Sequence, residues 1–159
     1  MSADSRTRRW LRALPVLAGA LAVLIGLAAA LRWAQTPPDG PTEPTWSRTP
    51  CARCGMLVGE PAFAAQLHTP AGDVRFFDDA GCLLLYAAER PGDEASSWFH
   101  HLREQRWIPA LRAGFVPAGA TPMSYGFGAV EADEPGAITR AAALAEVARR
   151  EASRARTSQ

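Results

Sequence analysis

The sequence predicts an α+β fold: a small single domain of strand-strand-helix-strand type, preceded by an N-terminal transmembrane helix. Three observations predict it. Arg6, Arg8, Arg9 and Arg12 precede a 19-residue run, Ala13 to Leu31, that holds no charge. Gln35 to Pro50 is then broken by Pro37, Pro38, Pro41, Pro44 and Pro50 among polar residues. From Glu60 onward, short apolar runs alternate with turn signals and two helical stretches.

The charge-free run matches the hydrocarbon thickness, since 19 residues at ~1.5 Å each approach ~30 Å. Trp10 and Trp33 bracket it where aromatic rings favour the interfaces, and the arginines keep the N-terminus cytoplasmic. The expected layout is a basic region over 1–12, an anchor or signal peptide over 13–33, a Pro-rich linker over 34–49, a folded domain over 50–152 and a disordered tail over 153–159. Ala28-Ala29-Ala30 offers small residues for a signal peptidase, so a cleaved signal peptide is the rival of a retained single-pass anchor. Both place the domain outside the cytoplasm: tethered to the inner membrane in one case, released to the periplasm in the other. The linker favours extended polyproline-like chain, and Trp46 is its first candidate for docking.

Within the domain, Ala62 to His68 reads as a strand ending at the turn Thr69-Pro70-Ala71-Gly72, and Val74 to Phe77 as the returning strand. Asp78 or Asp79 caps a helix over Gly81 to Arg90, which Pro91-Gly92 closes. Trp98 to His101, Arg106 to Ile108, Phe115-Val116 and Tyr125 to Val130 are further strand candidates. Thr139 caps a last helix through about Glu151. About 110 residues are folded, enough for one core and too few for two.

A net charge of +1 with 21% charged residues is ordinary and gives no argument for a nucleic-acid partner, so none is expected. No paired carboxylates, nucleophile elbow or phosphate loop appears, so a non-enzymatic role is expected. Three cysteines cannot all pair within one chain, so at least one thiol has another task.

Cys51-Ala52-Arg53-Cys54-Gly55-Met56 places two thiols and a thioether within six residues. In extended chain, residues at i and i+2 share a side, so Cys54 and Met56 can share one ion, with Gly55 letting the backbone bend. Thiolate with thioether selects Cu(I), because a thioether is a poor ligand for zinc. Two alternatives stay open: a structural zinc half-site forming an interaction module, and a CxxC thiol-disulfide oxidoreductase. Cys51 is then either a third ligand or a disulfide partner of Cys54. Met123, in the loop Thr121-Pro122-Met123, is a second candidate thioether. Cys82 reads as a small buried hydrophobe, Asp78 and Asp79 as caps, and His68, His100 and His101 as lesser nitrogen donors.

Cys51 to Met56, Phe63-Ala64-Ala65-Gln66, Phe76-Phe77-Asp78-Asp79 with Gly81-Cys82, and Thr121-Pro122-Met123 stand in an order that resembles the NosL family of nitrous oxide reductase accessory proteins. The resemblance runs from about Pro50 to Val130. It implies a periplasmic, membrane-tethered Cu(I) chaperone for nitrous oxide reductase maturation in denitrification, on a small α+β domain. By residue it implies Cys54, Met56 and Met123 as copper ligands. The chain departs from the family in lacking a lipobox cysteine, and its segment from Trp98 to Ala110 follows the pattern only loosely.

Overall fold

The computed structural model describes residues 4–34 and 39–157. The chain divides into two units, one holding a single helix and the other everything from residue 39 on.

The first unit is α1 (Asp4–Ala34), a continuous helix of 31 residues. Pro15 lies inside it. Leu17, Leu21, Val23, Leu24, Ile25, Leu27 and Leu31 are exposed along it. Among the described residues, no helix is long and apolar enough to cross a membrane. The transmembrane helix expected over 13–33 therefore gains no support from the fold.

The second unit is α+β, as expected. β1 (Ala65–His68) and β2 (Val74–Phe77) form an antiparallel hairpin around the Thr69–Gly72 turn. Pro61 opens a 3-10 turn over Pro61–Phe63, so the strand expected from Ala62 begins only at Ala65. α2 (Ala80–Glu89) follows, with Asp79 as its N-cap, accepting from the Gly81 N–H at 2.8 Å.

β3 (Ser96–His100) returns antiparallel beside β1, and β4 (Trp107–Pro109) closes the sheet in the order β2-β1-β3-β4. β5 (Ala113–Pro117) and β6 (Phe127–Glu131) pair antiparallel as a second sheet. α3 (Arg140–Thr157) ends the described chain, running six residues past Glu151. Strand, strand and helix thus recur in β5, β6 and α3, the half of the chain whose pattern is least legible.

α2 is buried along Ala80 to Tyr86 because it lies between the first sheet and α3. Leu83 and Leu84 pack with Phe77, Phe99, Phe115, Ile108 and Val147 in one core, where Phe99 and Phe115 meet edge to face at 5.0 Å. Gly81 is required at its position: a Cβ there would stand 2.4 Å from the ring of Tyr125.

The Pro-rich segment joins the domain earlier than Trp46. The buried amide of Gln66 accepts from the Thr42 N–H at 2.8 Å and donates to the Thr42 carbonyl at 2.9 Å. Pro44 is buried, and Glu43 accepts from the Trp107 indole at 2.7 Å. An interior amide needs both a donor and an acceptor, and the incoming chain supplies them.

Candidate metal centre

Residues 51–56 fold into a closed turn. The Cys51 N–H donates to the Met56 carbonyl at 2.7 Å and the Gly55 N–H to the Cys51 carbonyl at 3.0 Å. Gly55 has φ +78°, the left-handed conformation that a residue without Cβ adopts at little cost. The Ala52 N–H donates to the Phe76 carbonyl at 2.8 Å, which hangs the turn on β2.

That attachment brings the turn to the end of β2, where Asp78 follows, and to the first turn of α2, which carries Cys82. The sulfurs of Cys51, Cys54 and Cys82 and one oxygen of Asp78 all lie within 4.8 Å of one another. An ion with ~2.3 Å metal–sulfur bonds in a tetrahedron holds its sulfurs ~3.8 Å apart. The four donors therefore need to contract by no more than about 1 Å to close on such an ion. Asp78 adds a second sign of fit: it is 1% exposed, and its Oδ2 has no hydrogen-bond partner. A buried carboxylate oxygen without a partner carries a desolvation cost that a cation offsets.

The thiols differ in their environments. Cys51 is buried, and the hydrogen bond from the Cys82 thiol lowers its pKa to about 6 against the opposing effect of burial. The same hydrogen bond, with burial, pushes Cys82 up. Burial, with Cys51 and Asp78 beside it, raises Cys54 to about 12, and its thiol donates to Asp78 Oδ1 at 3.3 Å. The Cys51 sulfur is thus the acceptor among the three, with the Cys82 thiol donating to it and the Cys54 thiol donating to Asp78. Loading an ion displaces the remaining thiol protons.

Of the residues expected from sequence, Cys51 and Cys54 enter this cluster. Met56 is 47% exposed on the same turn, because the left-handed Gly55 removes the extended geometry that would have set it on the side of Cys54. Met123 is half-buried and packs against the core cluster that includes Cys51 and Cys82. Its loop is anchored by Asp79: Oδ2 accepts from the Thr121 hydroxyl at 2.6 Å and from the Met123 N–H at 3.0 Å. Asp79 is therefore the cap, while Asp78 turns to the thiols.

Cys82 and Asp78 are the members that sequence reasoning missed. The available signal is their spacing: an acid and a thiol four residues apart across a helix start bring both to one end of α2. The histidines stand elsewhere. His68 is tilted against Trp98 at 4.4 Å, His100 lies edge-on to Trp107 at 5.2 Å, and His101 Nδ1 accepts from the Arg103 and Glu104 N–H groups.

Arg53, between the two cysteines of the turn, ties it to both helices. Its guanidinium donates to Glu89 at 2.8 Å, to Glu151 at 3.3 Å and to the Tyr125 hydroxyl at 3.1 Å. The Tyr125 hydroxyl in turn donates to Glu151 at 2.8 Å. The turn that carries two thiols is thereby fixed to α2 and α3.

Three thiols and a carboxylate define a site able to hold a thiophilic metal ion. In comparisons with known proteins, no family model, curated protein or solved structure matches the chain.

Proposed function

We propose that this protein is a Cu(I) metallochaperone, tethered to the periplasmic face of the inner membrane, that hands its ion to a client cuproenzyme. The observation that supports metal handling most directly is the convergence of Cys51, Cys54, Cys82 and Asp78 within 4.8 Å. Three thiolates favour a soft ion, and the thioethers of Met56, exposed on the same turn, and Met123 suit Cu(I) rather than zinc. The ion is cargo, and no bond of a substrate is made or broken.

The client is nitrous oxide reductase on the resemblance to the NosL family carried by Cys51 to Met56, Phe76 to Cys82 and Thr121 to Met123. The tether rests on the charge-free run Ala13 to Leu31 in the sequence alone. A retained anchor leaves the full chain with the membrane pellet after an alkaline wash; release into the supernatant contradicts it.

A zinc-binding interaction module is the second reading, favoured by one observation. Asp78 and Cys82 complete four donors, which the CxxC turn alone does not supply. Metal analysis after reductive purification separates the two. One Cu(I) per chain, lost in Cys54→Ala, supports the chaperone. Tightly held zinc with no uptake of Cu(I) contradicts it, as does reversible Cys51–Cys54 oxidation with neither metal bound, which is the behaviour of a thiol oxidoreductase.

A further inference from the structure

Three free thiols share one small space. The sulfurs of Cys51, Cys54 and Cys82 lie within 4.8 Å of one another. Two of them are shielded from water, Cys51 at 3% and Cys82 at 0% exposed, whereas Cys54 is half-buried on the turn. The shielded two are in direct contact, since the Cys82 thiol donates to the Cys51 sulfur. The Cys54 thiol donates instead to Asp78 Oδ1 at 3.3 Å.

We infer that Cys51 and Cys82, rather than the two cysteines of the CxxC turn, are the pair that closes into a disulfide, and that Cys54 is the thiol through which this bond forms and is reduced. The bond follows from the placement of the three thiols. Its effect on the ion rests on the reading of the site as a carrier of Cu(I).

Burial decides where the exchange starts and where it stops. An external disulfide, of a small molecule or of a partner protein, meets only the sulfur that solvent reaches, so it exchanges at Cys54. A bond between Cys54 and Cys51 keeps one sulfur within reach of an incoming thiol, whereas a bond between Cys51 and Cys82 exposes neither. The exchange therefore runs inward and is retained there.

In the first step the Cys54 sulfur bonds to one sulfur of the external disulfide RSSR, the S–S bond of RSSR breaks, and the Cys54 proton leaves on RSH. The Cys51 sulfur then attacks Cys54 Sγ and releases the second RSH with its own proton. The Cys82 sulfur next attacks Cys51 Sγ, the Cys51–Cys54 bond breaks, and the Cys82 proton passes to Cys54. Two electrons have gone from Cys51 and Cys82 to RSSR. Reduction by an external dithiol reverses each step, beginning with attack of Cys54 on Cys51.

Closed in this way, the centre keeps only Cys54 and Asp78 of its four donors. A dithiol reductase must therefore act before copper is loaded, and its point of entry is Cys54.

The test treats the reduced, metal-free full-length protein with oxidised glutathione, quenches with acid and alkylates the free thiols. Arg53 and Arg75 separate the three cysteines, so tryptic peptides report each one by mass. The expected product joins Cys51 to Cys82 and leaves Cys54 alkylated. Cys54→Ser is expected to form the same bond more slowly, by about tenfold or more, and Cys82→Ala to stop at Cys51–Cys54. Wild-type protein that ends at Cys51–Cys54 with Cys82 free overturns the inference, as does Cys54→Ser oxidised at the wild-type rate. The wild-type mapping needs no variant, so it decides the matter even where a variant folds poorly.

Oxidised protein is expected to take up no Cu(I) until dithiothreitol reopens the bond and is removed. Equal uptake by the oxidised and reduced forms contradicts the effect on the ion. No uptake by the reduced form defeats the carrier reading itself and leaves the mapped bond in place.

Discussion

The carboxylate of Asp79 accepts the backbone N–H of Met123 at 3.0 Å, across a sequence separation of 44 residues. The same carboxylate caps α2 through Gly81 and holds the Thr121 hydroxyl. One buried side chain thereby sets the start of the helix that carries Cys82 and the loop that carries Met123.

Asp79→Asn tests that junction. Burial raises the carboxyl pKa, so the native state is strained toward the neutral form, whereas three donors favour the anion. Hydrogen bonds to a charged acceptor are worth about 1.5–3 kcal/mol each, and an amide can serve only part of the set. Burial outweighs the three donors in setting the pKa, but those donors meet both carboxylate oxygens and an amide offers only one acceptor oxygen, so denaturant unfolding is expected to show a loss of about 2 kcal/mol. A variant as stable as the wild type contradicts this assignment.

Arg53→Ala removes the guanidinium that joins the CxxC turn to Glu89, Glu151 and Tyr125. Glu89 and Glu151 side chains are 46% and 39% exposed, so solvent screening holds the stability loss to about 1 kcal/mol. The larger expected effect is local. Amide exchange in α3 around Glu151 should quicken, with exchange in β5 and β6 little changed. Uniform quickening across the domain would show that Arg53 contributes to global stability rather than to docking of α3.

Glu94 supplies the pH dependence. Although burial pushes its carboxyl up, Arg140, bonded to both oxygens at 2.7 and 2.8 Å, and the Ser97 hydroxyl hold it below its ordinary value of 4.5. For an acid with a depressed folded pKa, the stabilisation is present above 4.5 and is lost as pH falls through the folded value. Glu94→Gln should therefore destabilise the domain near neutrality and flatten its stability curve below pH 4.5. Parallel curves for the two proteins in that range would remove Glu94 as the source.

The elements of this fold were legible where local chemistry decides them. Thr69 to Gly72 marks a hairpin, Pro91-Gly92 a helix end, and the adjacent aspartates a helix start. Where tertiary contact decides, the sequence was less informative. Cys82 sits in α2, which is buried from Ala80 to Tyr86, so apolar burial hides the thiol among hydrophobes. Its nearness to Cys51 depends on the Ala52–Phe76 hydrogen bond, which no spacing reveals.

The two aspartates look alike as caps, and only the fold gives one to the helix and the other to the thiols. Cys54 and Met56 are a natural pair only in extended chain, and the left-handed Gly55 departs from it. Docking of Thr42 on Gln66 likewise depends on a buried amide whose need for partners appears only once β1 is placed.

The most direct measurement is Cu(I) titration of the reduced full-length protein, followed by X-ray absorption at the copper edge. The account predicts one Cu(I) per chain with a first shell dominated by sulfur, and a fall in sulfur count in Cys82→Ser. Zinc retained in place of copper, or a copper shell unchanged in Cys82→Ser, would contradict it.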